Sequence, residues 1–181
     1  PTINGDLTLS AWFNPDFASN SGSSRYFVTV KAPGGATDDN VATLYNYSNG
    51  FYGFNYNPGS SPVFVSGGSF TANDWYYIAG TFDDSTDAVK TYHNGSLQNS
   101  NTNSNAMSTS GATINIGQRI TDENRFDGTM DEVRFSQETR SAAWIKANYY
   151  AQTDDLIDFD TPSLRTSVVT GTSSWRDLTG L

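Results

Sequence analysis

The sequence predicts an all-β fold: an antiparallel β-sandwich with one short helix near its C-terminal end. Three observations carry that prediction. Short runs of β-forming residues alternate with polar turns almost throughout the 181 residues. Charged residues make up only 16% of the chain and hydrophobic residues 36%, so Ser, Thr, Asn and Gly fill the balance. Aromatic residues reach 14%, which supplies enough large side chains for a real core and argues against disorder.

The elements follow in order. Leu7-Thr8-Leu9-Ser10-Ala11-Trp12-Phe13 alternates and ends at Asn14-Pro15. Residues 26–31 form the next run and stop at Pro33-Gly34-Gly35. Residues 41–47 lead into Ser48-Asn49-Gly50, a turn signal, and 51–56 run to Asn57-Pro58-Gly59. A short strand over 63–65 is bounded by Gly67-Gly68. Residues 75–82 are the most apolar strand and are expected at the centre of a sheet. Residues 89–93 precede Asn94-Gly95, the strongest hairpin marker in the chain. Between residues 98 and 110 Asn and Ser dominate without an apolar period, which predicts a solvated loop. Strands over 114–116 and 130–135 complete the set. Ser141 then caps a helix of about three turns whose Ala142, Ile145 and Tyr149 fall at helical spacing. It is expected to pack on an edge or end of the sandwich. Residues 1–152 read as the sandwich, and 153–181 as a tail that is either an extra strand or a linker to a following module.

The formal net charge of −9 disfavours nucleic acid, whose affinity comes largely from Lys and Arg at phosphates, and disfavours anionic membranes too. Sixteen of the acidic residues are Asp and three are Glu, a choice that suits turns and calcium loops. The absence of cysteine removes disulfides and thiolate metal sites, and with the acidic, polar surface fits an exported bacterial protein. No segment approaches the ~20 apolar residues of a membrane span. The start at Pro1 reads as that of a processed or excised fragment.

An ordered set of segments carries a resemblance. These are Asp6-Leu7-Thr8-Leu9-Ser10-Ala11-Trp12-Phe13-Asn14-Pro15, then Trp75-Tyr76-Tyr77-Ile78-Ala79-Gly80-Thr81-Phe82-Asp83 with Tyr92-His93-Asn94-Gly95, then Ile114-Asn115-Ile116-Gly117. Phe126-Asp127-Gly128-Thr129-Met130-Asp131-Glu132-Val133-Arg134 and Arg140-Ser141-Ala142-Ala143-Trp144-Ile145 close it. Together they resemble the bacterial laminin G-like domains of the concanavalin A-like lectin/glucanase superfamily. The resemblance implies a jelly-roll sandwich in which Trp12, Trp75 and Trp144 hold core positions. Such domains usually open with a strand ahead of the Leu7 strand. Here almost nothing precedes it, and residues 156–170 could fill that edge. Trp175-Arg176-Asp177-Leu178-Thr179-Gly180-Leu181 resembles the opening of another such module, so a longer multidomain protein is expected.

The resemblance also frames the chemistry. Jelly-roll glycosidases need two carboxylates facing each other across a cleft. No acidic residues alternate on one strand here, and Glu132 has only Asp131 beside it, on the opposite strand face. His93 sits beside a hairpin turn with no Ser or Cys partner legible, which disfavours a nucleophilic triad or a His-based zinc site. Related jelly-roll domains place an Asp in the last strand on a structural calcium, which implies Asp131, partnered by Asp6 or its neighbours. Asp38-Asp39-Asn40 and Asp122-Glu123-Asn124 match loops that form a calcium and ligand rim in laminin G-like domains. Sugar rings stack on aromatic faces and need planar polar partners. The candidate ligand-binding residues are therefore Tyr45, Tyr47, Tyr52 and Tyr56, with Asp39, Asn40, Arg119 and Asn124. If the strands around Ser48-Asn49-Gly50 pair, the tyrosines could share one surface, which is either core or an exposed ribbon. The expected function is a non-catalytic carbohydrate-binding module, secreted or at the cell surface. A cell-surface adhesin for protein, peptide or glycan is the alternative, and a glycosidase or lyase comes third.

Overall fold

The computed structural model describes residues 2–33, 40–59, 61–119 and 124–153. Twelve strands and one helix succeed one another: β1 (Ile3–Asn4), β2 (Leu7–Pro15), β3 (Arg25–Lys31), β4 (Asn40–Asn46), β5 (Tyr52–Tyr56), β6 (Val63–Gly68), β7 (Tyr76–Asp83), β8 (Ala88–His93), β9 (Ser96–Thr102), β10 (Ser108–Thr109), β11 (Thr113–Ile116), β12 (Gly128–Ser136) and α1 (Ala142–Gln152). Ten of them form two antiparallel five-stranded sheets. Sheet I has the order β11-β3-β4-β5-β6, and sheet II the order β12-β2-β7-β8-β9. The apolar strand β7 is central in sheet II, as its composition predicts. Strand β1 pairs with β10, so a short strand does precede Leu7.

Period-2 alternation decides which side chains meet between the sheets. Leu7, Leu9, Ala11 and Phe13 of β2 point inward with Ile78 and Phe82 of β7. Val28, Val30, Ala42, Leu44, Tyr52, Phe54, Tyr56 and Val65 answer them from sheet I. Aromatic rings bridge the layers, with Tyr56 stacked on Phe82 at 4.0 Å and Phe13 on Phe27 at 4.5 Å. The sheets approach closely where Phe54 lies over Gly80: a Cβ there would sit 2.2 Å from the Phe54 ring. Any side chain at position 80 would force the layers apart.

Three expectations need correction. The polar run after Asn94-Gly95 is a strand, β9, for most of its length, and only its continuation to Ser110 is mainly loop. The hairpin turn has Asn94 at φ +46° and Gly95 at φ +76°, and His93 pairs with Ser96 across it. Strand β9 is exposed at every position, so its sequence carries no alternation to read. The helix packs across the outer face of sheet II rather than on an edge. Ile145 is buried there against Trp12, Tyr77, Ala79 and Tyr92, with Trp144 and Tyr149 beside it. Trp75 is not a core residue: it precedes β7 and is 46% exposed. Trp12, by contrast, is buried, and Trp144 is half-buried. The expected tail after Thr153, including Trp175 and the edge-filling segment 156–170, lies outside the described residues.

Candidate functional site

Register in sheet I divides the candidate tyrosines between two faces. Leu44 pairs with Phe54, and Asn46 with Tyr52, while Tyr45 pairs with Gly53. Tyr52 and Tyr56 therefore point into the core and are fully buried, which removes them from any binding surface. The reason is parity: the strands do pair around the Ser48-Asn49-Gly50 turn, but even-numbered positions on both face inward. Tyr56 donates its hydroxyl to the Asn105 carbonyl at 3.0 Å, and Tyr52 pairs with His93 Nδ1, so both polar tips are satisfied inside.

Tyr45 and Tyr47 stay outside and gain two neighbours that sequence reasoning missed. A bulge in β3 brings Tyr26 opposite Tyr45. Their rings stack at 5.2 Å with 15° between planes. Phe64 of β6 meets Tyr45 edge-on at 5.4 Å and Tyr47 at 6.0 Å. Tyr47, at the end of the row, is 44% exposed. The Arg119 guanidinium lies 5.6 Å over the Tyr26 ring. Asn124, at φ +60°, accepts the Tyr26 N–H on its carbonyl at 3.1 Å, which brings the neighbouring loop against the same row. Of the eight candidate ligand residues, the structure thus assembles Tyr45, Tyr47, Arg119 and Asn124. Asp39 lies outside the described residues, as do Asp38, Asp122 and Glu123, and Asn40 contributes the first residue of β4.

The chemistry of this face is that of a stacking platform with polar borders. Burial raises the Tyr45 pKa well above the usual tyrosine range, and Tyr26 and Tyr47 add to the rise. The hydroxyl stays a neutral donor at physiological pH. A second row, Asn115-Thr29-Thr43-Asn55-Phe64, crosses the same face one step along the strands. Beyond Tyr47 the turn exposes Phe51, 48% accessible, beside a cleft of about 550 Å³ lined by Asn20, Asn49, Phe70 and Thr71 among others. Rings lie flat on such a row, and side-chain amides and hydroxyls take up ring hydroxyls.

The proposed calcium pair does not fit one ion. Asp131 pairs across from Trp12 near the far end of β2, while Asp6 stands just ahead of its first residue, Leu7. Six residues of extended chain separate Asp6 from Trp12, about 20 Å. Asp6 instead accepts the Asp84 N–H at 2.8 Å, and Asp131 accepts the Glu132 N–H at 2.7 Å. Among the described residues no three His, Asp or Glu side chains cluster as metal ligands. The Asp83-Ser85-Thr86 turn behaves as expected of a turn: Asp83 accepts from the Ser85 hydroxyl and from the Ser85 and Thr86 N–H groups, which lowers its pKa. No described helix is long and apolar enough to cross a membrane.

Comparison with known proteins agrees with this architecture. Residues 1–146 match the Laminin_G_3 family, described as concanavalin A-like lectin/glucanases superfamily. No curated protein matches the chain. Among solved structures, a heptameric SAP-like pentraxin from Limulus polyphemus superposes with a TM-score of 0.60 at 17% identity, over 82% of this chain and 72% of that one. A "putative carbohydrate binding protein" from Bacteroides ovatus gives 0.61 at 18% identity, over 81% and 41%. The botulinum neurotoxin serotype G binding domain gives 0.60 at 15% identity, over 84% and 37%. The chain thus spans well under half of the latter two. At these identities the likeness is one of fold.

Proposed function

The chain belongs to the Laminin_G_3 family of the concanavalin A-like lectin/glucanases superfamily, and from that premise we propose that it is a non-catalytic module that binds carbohydrate on the outer face of sheet I. The observation that carries this reading is the row Tyr26, Tyr45, Tyr47 and Phe64, four aromatic rings on the face turned away from the core. A solvent-facing row of this kind has no role in the sandwich core. The fold likeness to the Bacteroides ovatus protein supports a carbohydrate ligand. A non-catalytic role is supported by the acids themselves. Glu132 is ion-paired with Arg134, and Glu138 with Arg140 at 2.9 Å, so neither described glutamate stands ready as half of an acid/base pair. The thiol-free, acidic composition supports a place outside the cell, as a module of a longer protein.

Affinity electrophoresis through gels containing soluble polysaccharides tests the proposal. At least one polysaccharide should retard the protein, and Tyr47→Ala should lower that affinity by about tenfold, the loss expected for one stacked ring. Retardation that is unchanged in Tyr47→Ala places the binding elsewhere. Absence of retardation across a broad panel, with binding to cells or proteins instead, favours an adhesin.

A further inference from the structure

A second candidate site lies on the opposite side of the sandwich. A cavity of about 300 Å³ opens on the outer face of sheet II, where the C-terminal end of α1 meets the strands. Its described lining is Trp12, Trp75, Asp131, Gln152 and Thr153. Two features of this lining lack a structural explanation. The Trp12 indole Nε1 is buried with no hydrogen-bond partner, although the residue is only 9% exposed. A buried donor left unpaired costs about 1–3 kcal/mol. Trp75 spends a large apolar ring on solvent at 46% exposure, in a chain whose other tryptophans among the described residues are packed.

The rest of the lining is well determined. Tyr149 stacks on Trp12 at 5.4 Å and 14°, and Tyr77 packs against Trp12 at 5.5 Å, so the indole is clamped from α1 and from β7. Asp131 is the cross-strand partner of Trp12. One of its oxygens accepts the Glu132 N–H, and it carries further acceptor capacity on an exposed carboxylate. The bulge that follows, with Glu132 at φ +49°, breaks the β12 ladder directly after Asp131.

We infer that this cavity is a second glycan subsite that takes a single neutral pyranose ring, with the ring on Trp75, a hydroxyl oxygen accepting from Trp12 Nε1, and a hydroxyl donating to Asp131. The chemistry selects that ligand class. A sugar hydroxyl is both acceptor and donor, so it satisfies the indole and the carboxylate together. An ammonium ligand would suit Asp131 and Trp75 but would leave the Trp12 N–H unpaired. The volume lies at the low end for small-molecule sites, which fits one ring rather than a chain segment. This rests on the reading of the protein as a carbohydrate binder, but it concerns another face and other residues.

Indole N–H resonances of the full chain in a ¹H–¹⁵N correlation spectrum read the site directly. Titration with methyl glycosides of glucose, galactose and mannose, and separately with choline, should move the Trp12 and Trp75 signals with at least one glycoside. Trp75→Ala should weaken the Trp12 response about tenfold, and Asp131→Asn should weaken it too. Trp75 is exposed, so its removal leaves the fold intact. The inference is overturned if no glycoside moves the Trp12 signal, if the shift persists undiminished in Trp75→Ala, or if only choline moves it. Polysaccharide retention that depends on Tyr47 reports on sheet I alone, so its success or failure is read separately.

Discussion

A Cβ on Gly53 would lie 2.3 Å from the Val65 carbonyl oxygen and 2.9 Å from the Phe64 ring. Position 53 is the cross-strand partner of Tyr45, and its missing side chain is what lets Phe64 lean across β5 to meet that tyrosine. Gly53→Val should displace Phe64, cost about 1–3 kcal/mol in urea unfolding, and weaken polysaccharide retention. Unchanged stability would mean that the strands yield without strain. His93 gives a second residue-scale test. It pairs with Tyr52, and burial holds its pKa below the usual value of about 6.5. The unfolded chain therefore takes up that proton first as pH falls. Stability from the neutral ring is full above about pH 6.5 and declines as pH drops through that value towards the lower folded pKa. Melting temperatures should fall between about pH 7.5 and about pH 5.5 in the wild type, and fall less in His93→Gln. Identical profiles would remove His93 from the account.

Strand β9 shows where sequence reading fails at the scale of an element. Alternation is legible only when one face is buried, and β9 buries neither. Asn94-Gly95 carried the missing information, because a two-residue hairpin turn needs a strand on each side. Amide hydrogen exchange should show protected N–H groups within Ser96–Thr102 where they pair with β8, and uniform rapid exchange there would contradict the pairing. The helix was legible because its cap is chemical rather than periodic. Ser141 Oγ accepts the Trp144 N–H at 3.2 Å, and Ser141→Ala should cost about 1 kcal/mol. Its docking face was not legible, since Ile145 meets Trp12, Tyr77 and Tyr92 from three distant segments. The tyrosines failed for a related reason. Their strands and turn were readable, but whether Tyr45 or Tyr52 faces the core depends on register between strands, which one strand's sequence does not contain.

At the scale of the whole molecule, a net charge of −9 coexists with an aromatic face bordered by Arg119, next to a loop that contains Arg125. Sandwich and helix leave two outer faces with different tasks. Sheet II gives most of its outer surface to α1, while sheet I turns its aromatic row outward. The fold was legible because it rests on many short runs that agree with one another. The binding face was half legible: Tyr45, Tyr47, Arg119 and Asn124 were readable, and Tyr26 and Phe64 emerged only through pairing. The central claim is that the outer face of sheet I is where the ligand lies. Backbone chemical-shift mapping with an oligosaccharide cut from a retained polysaccharide tests it most directly. The account predicts that the largest shifts gather at Tyr26, Tyr45, Tyr47 and Phe64; shifts that leave this row unmoved and gather elsewhere would contradict it.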